Sequence, residues 1–172
     1  MTKTILIFAF AALLGLVIQA TVVHSLYPAA VAPDFILILV VFLGLQFGNV
    51  FGLIGAFLLG VAADFASGKF LGPHAAGCIV AFLSVILISR KVYADHFVTV
   101  MFLTFFVSIA KGLTYMVMLM VYVRADLFNF EIGKIVLFES MISAVVAPVV
   151  MFLLSIGPFA GSFQTARRGL RP

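Results

Sequence analysis

Lys111 stands inside a 27-residue run, 97–123, that holds no other charged side chain. At 1.5 Å per residue it lies about 21 Å along that run, where placing a lysine in a bilayer costs roughly 2.5–3.5 kcal/mol. It therefore needs acceptors. Thr104, Ser108 and Tyr115 fall seven and three residues before it and four after, so on a helix they share its face and offer hydroxyls. Glu139 and Asp64, near the outer ends of other apolar runs, are the expected counter-charges. A buried ion pair or hydrogen-bond hub is favoured over a polar pocket or a snorkelling side chain. No catalytic role is favoured.

Asp34 and Asp64 are expected at one outer level, and paired carboxylates can perform acid–base work when one pKa is raised. Helix capping explains Asp34 more simply, because it follows Pro33 at a helix start, where free N–H groups and the helix dipole favour a carboxylate. His24 and His74 share that side of the membrane, but their spacing with the two aspartates matches no metal-binding motif, so neither a metal nor a cofactor is expected. His96 falls on the opposite side. Ser67 and Ser143 have no histidine and aspartate at positions that suggest a hydrolase triad, and no phosphate-binding loop is present. The single cysteine, Cys78, excludes an internal disulfide, a Cys–X–X–Cys redox pair and a cysteine-based metal cage.

The composition fixes the solvent in which these groups must work. With 65% hydrophobic residues, 9% charged residues and 20 Phe among 172 residues, the chain is an integral membrane protein. Its net charge of +4 resides at the ends of apolar runs, where membrane topology accounts for it without nucleic acid.

The apolar runs predict an all-α protein of about six transmembrane helices in a single domain, 1–172, with helices near 5–26, 35–47, 50–63, 73–89, 97–123 and 135–156. Residues 157–172 form a basic cytoplasmic tail. Pro28 and Pro33 end the first helix, and Gly68, Gly72 and Pro73 mark the turn into the fourth. The second and third helices are short for a crossing and make a central hairpin, either spanning or re-entrant, that turns at 46–49.

Within that hairpin Gly48, Gly52, Ala56, Gly60 and Asp64 recur every four residues, giving a helix one narrow strip with almost no side chain. Ordinary helix packing within the chain is favoured over a groove for a partner or ligand, and either makes the strip a contact surface. Ser67, Gly68 and Gly72 extend it into the loop. Orientation follows from the basic residues. With six crossings Lys3, Arg90, Lys91, Arg167, Arg168 and Arg171 lie on the cytoplasmic side, against Lys69, Arg124 and Lys134 outside. Both termini are then cytoplasmic.

Pro33-Asp34 opening an aliphatic run, followed by Gly60-x3-Asp64-x2-Ser67-Gly68-x2-Leu71-Gly72 between two membrane helices, resembles the MreD family of rod shape-determining proteins. The resemblance covers the chain in size and helix layout, and residues 33–90 in motif. It implies a non-catalytic inner-membrane scaffold of the elongation machinery for lateral peptidoglycan synthesis, with no cofactor. The implied direct partner is MreC. The wider assembly would hold RodA, a class B penicillin-binding protein and MreB, within membrane lipid. The family is also similar in architecture to substrate-binding subunits of energy-coupling-factor transporters, so a vitamin-type binding subunit is the alternative. On the scaffold reading the glycine strip holds the MreC helix, the outer loops with Asp64, Lys69, Arg124 and Glu131 orient its emerging segment, and Gly60→Leu weakens the complex with expression nearly intact.

Overall fold

The computed structural model describes residues 14–17, 33–67, 71–89, 97–123 and 130–156, in which all regular structure is helical. Residues 14–17 are helical and belong to a first helix, α1, and Gly15 lies beside Phe35 and Leu39 of the next helix. The remainder of the expected 5–26 helix, the tail 157–172, and His24, Gly68, Lys69, Arg90, Lys91, His96 and Arg124 lie outside the described residues.

The sequence following Pro33 has no polar face, and a helix that is apolar all round must be buried all round. That is the position of α2, Phe35–Gln46, in which Ile36 to Gly44 are buried without interruption. Asp34 caps it, accepting a hydrogen bond from Leu37 N at 3.0 Å. At its other end the Phe47 N–H returns to Leu43 O. Asn49 then opens α3, Val50–Ser67, by accepting from Gly52 N at 3.2 Å.

α3 continues past the expected end at residue 63, so Asp64 sits within a helix and not at the start of a loop. Two sets of hydrogen bonds account for the extension. The Ser67 hydroxyl donates to Asp64 O, and the Asp64 carboxylate gathers the first N–H groups of α4, Pro73–Ser89. α5, Phe97–Val123, and α6, Phe130–Ile156, are long antiparallel neighbours. α6 begins five residues before the expected 135, because a helix does not stop where hydrocarbon stops: Lys134 stands exposed on one of its first turns.

α2 is the axis of the arrangement, touching α3, α4, α5 and α6, while α3 packs along α4 and α4 along α5. The core gathers Ile36 to Leu43 of α2 with Ala56, Leu59, Phe82, Val85, Val107 and Ala147. The surface is apolar as well, with Phe51, Phe102, Phe106 and Phe152 each more than half exposed. Among the described residues three helices are long and apolar enough to cross a membrane, in stretches Val50–Ser67, Phe97–Met118 and Gly133–Leu154, whereas α2 and α4 are shorter apolar helices. An apolar core inside an apolar surface is what lipid as solvent demands.

Candidate functional site

Lys111 lies near the midpoint of α5 and Ser143 at the midpoint of α6. Both reach the beginning of α2. The Lys111 Nζ donates to Asp34 Oδ2, and the Asp34 N–H donates to Ser143 Oγ at 2.9 Å. Asp34 therefore lies level with the middle of the long helices, not at the outer boundary expected for it. Its carboxylate has two tasks, one oxygen capping α2 and the other holding the lysine. Asp34 and Lys111 are both buried, at 4% and 7% exposure, so each compensates the charge that would make the other costly.

The expected counter-charges for Lys111 are thus corrected. Asp64 is engaged elsewhere, and Glu139 is within electrostatic reach of Lys111 and Asp34 but makes no ion pair with either. A lysine pairs with the carboxylate its flexible stem reaches at its own depth, and α2, by starting halfway through the bundle, brings Asp34 to that depth. Gly77 of α4 permits the approach, since a Cβ there would stand 3.0 Å from Lys111 Cγ.

The hydroxyls expected beside Lys111 are put to separate uses. Ser108 lies 3.0 Å from Ser140, joining α5 to α6. Tyr115 packs against the His74 ring, with centroids 4.8 Å apart. Thr104 is fully buried, and its hydroxyl has no hydrogen-bond partner among the described residues.

A second polar cluster joins α3 to α4. Asp64, 2% exposed, accepts from Gly72 N at 2.8 Å and Ala75 N at 3.1 Å through Oδ2, and from His74 N at 2.9 Å through Oδ1. His74 Nδ1 also lies 3.0 Å from Oδ1. A helix begins with N–H groups that no turn of its own can satisfy. Asp64 satisfies those of α4 from the neighbouring helix. Gly72 adopts φ 116°, a region that favours glycine, to aim its N–H at the carboxylate. Pro73, which has no N–H to satisfy, takes the first position of α4.

The small-residue strip faces the same neighbour. Gly52, Ala56, Gly60 and Asp64 are buried, while Gly48 is exposed at the hairpin turn and Ser67 at the end of α3. A Cβ on Gly60 would stand 2.5 Å from Ala75 Cα, and one on Gly52 would stand 2.8 Å from the Phe82 ring. α4 already fills the strip, so it offers no free face to a partner helix, and the docking role expected of it has no room. Among the described residues no three His, Cys, Asp or Glu side chains converge as a metal site would require.

Asp34 as the lysine's partner and Ser143 as its anchor were missed by sequence reasoning. The signal was the length of the run after Pro33: a 12-residue helix spans about 18 Å, so one of its ends must lie inside the bundle and its cap must be buried.

An all-helical bundle with an apolar exterior and a buried Asp34–Lys111 pair at mid-height is a membrane protein whose polar groups hold its own helices together. The chain belongs to the family of the rod shape-determining protein MreD, whose model matches residues 1–156. Comparison with curated proteins and with solved structures returned no match. Family membership places the chain in the determination of rod shape.

Proposed function

We propose that the chain is a non-catalytic scaffold of the cytoplasmic membrane that binds MreC and supports lateral peptidoglycan synthesis, in a wider assembly with RodA, a class B penicillin-binding protein and MreB. The observation that carries this reading is the family match across residues 1–156. The bundle chemistry agrees with it. The buried charges are engaged in holding helices in register: Asp34 joins α2 to α5 and α6, and Asp64 joins α3 to α4. A rigid bundle with an apolar exterior is suited to presenting a fixed surface to other membrane helices. Because α4 covers the glycine strip, the MreC helix docks elsewhere on that exterior.

Co-purification of the tagged chain from native membranes in mild detergent, with mass spectrometry of proteins and small molecules, tests the reading. Recovery of MreC is the expected result. Recovery instead of an ATPase-linked membrane subunit, or of a stoichiometric vitamin-type molecule lost in Lys111→Ala, would overturn it.

A further inference from the structure

Three of the bundle's hydroxyls turn back on their own helices, and Thr104 does not. Ser84, Thr114 and Ser140 each donate to the carbonyl one turn earlier, at 2.7–2.8 Å. Thr104 is 0% exposed, and among the described residues its Oγ1 has no hydrogen-bond partner. Its hydroxyl is therefore turned away from the acceptor that its own helix offers. A buried donor left in that state is rare in folded proteins and calls for a partner of another kind.

The helix opposite carries the complementary defect. Pro148 stands inside α6 without an N–H, so the carbonyl of Ala144 loses the donor that an interior turn of helix supplies. Ala144 and Pro148 are both buried, so the defect faces the bundle and not lipid. The register of α5 and α6 brings the two groups together. Ser108 meets Ser140 at 3.0 Å, and one turn away a Cβ on Gly112 would stand 2.5 Å from Val136 Cγ1. One turn in the other direction, this antiparallel register sets Thr104 beside Ala144. Helix carbonyls point toward the C-terminus and side chains lean toward the N-terminus, so in antiparallel neighbours the Ala144 carbonyl and the Thr104 hydroxyl incline to one level. No direct bond joins them.

We propose that Thr104 and the Ala144 carbonyl form a binding site for a single buried water between α5 and α6. The Thr104 hydroxyl donates to the water, and the water donates to the carbonyl that Pro148 releases. One neutral donor facing one neutral acceptor suits water and not an ion. The site lies between the half of α6 fastened to α5 and α2 through Ser140 and Ser143 and the half beyond Pro148, so it is the joint of that helix. It involves no partner protein, and the proposed function stands or falls separately.

Two measurements on the full chain in lipid bilayers test the site. Solid-state NMR reads magnetisation transfer from water protons to assigned residues. The expected result is transfer to Thr104 and Ala144 and none to Val40 or Val85, which are as deeply buried. Thr104→Val should remove the transfer at Ala144, whereas Thr104→Ser, which keeps the hydroxyl, should retain it. A double-mutant cycle supplies the energetic side. Thr104→Val should raise the unfolding equilibrium constant roughly three- to twentyfold, the range an interhelical hydrogen bond contributes in lipid. In Pro148→Ala the same change should have a smaller effect, because the new N–H satisfies the Ala144 carbonyl without water. The sign is decisive: a hydroxyl that is merely unsatisfied would be improved by its isostere, and Thr104→Val would then stabilise the chain. Stabilisation by Thr104→Val, an equal effect in both backgrounds, or absence of water transfer at Thr104 and Ala144 would each overturn the inference. Should Pro148→Ala fail to fold, the transfer in the unaltered chain and the sign of Thr104→Val decide.

Discussion

At the residue level the decisive interaction is the one between Asp34 and Lys111. Removing one member of a buried pair leaves the other as an uncompensated charge, which costs about 3–5 kcal/mol, whereas removing both charges costs far less. Lys111→Met should accordingly lower the thermal unfolding midpoint of the purified chain sharply. Asp34→Asn combined with Lys111→Met should recover much of the loss, since asparagine still caps α2. A double-mutant cycle measures this directly, and strict additivity of the two substitutions would show that the pair does not act as a unit. Lys111 announced itself in the sequence by its isolation. Its partner did not, because pairing depends on depth, and the depth of Asp34 is set by how far α2 reaches through the bundle. Residue types and helical spacing carry no record of that distance. Ser143 was hidden for the same reason: a serine on an apolar helix acquires a role only when a particular backbone N–H arrives beside it.

Among the elements, the contact of α3 with α4 depends on the closeness of two backbones. Gly60 is the point of closest approach, and any Cβ there pushes against Ala75 backbone. Gly60→Ala should destabilise the chain by about 1–3 kcal/mol, as overpacked sites do. Gly60→Leu should fail to give monodisperse protein at normal yield, which replaces the expectation of an intact chain with a weakened complex. Normal yield with unaltered unfolding would contradict the packing described. The Asp64 cluster makes a distinguishable prediction. Asp64→Ala strands the N–H groups of Gly72, His74 and Ala75, each worth about 1–3 kcal/mol if left unsatisfied in an apolar setting. Hydrogen exchange should then quicken at those three amides while the middle of α5 stays protected. Asp64→Asn, which keeps one acceptor oxygen, should fall between the two. The four-residue spacing of the strip was legible as a contact surface, but the identity of what fills it was not: Ala75 and Phe82 come to it through the fold of α4, which no spacing within α3 encodes.

For the whole molecule, the all-helical membrane class was written in composition and apolar run length, yet the heights of the helices were not. α5 and α6, at 27 residues each, extend about 40 Å, while the 12 residues of α2 cover about 18 Å from mid-height to one end. Such a helix can begin inside a membrane only where protein satisfies its first turn, and Asp34 with Ser143 does so. Charge predicts which end of the bundle faces inward. The six-crossing reading of the sequence groups Lys3, Arg90, Lys91, Arg167, Arg168 and Arg171 against Lys69, Arg124 and Lys134, and the six-residue group should then face the cytoplasm. A fluorescent protein fused after Arg171 should mature and fluoresce, and alkaline phosphatase fused there should stay inactive. Phosphatase inserted beside Lys69 should be active instead. The two insertion points separate the possible errors. Active phosphatase after Arg171 together with inactivity beside Lys69 would invert the bundle from Lys69 onward, whereas inactivity at both would mean that the crossings between Lys69 and Arg171 are even in number, not three. In the inverted case the charge bias would have been overruled by the packing of α2, whose half-height position makes the parity of the first two helices the least constrained step in the topology.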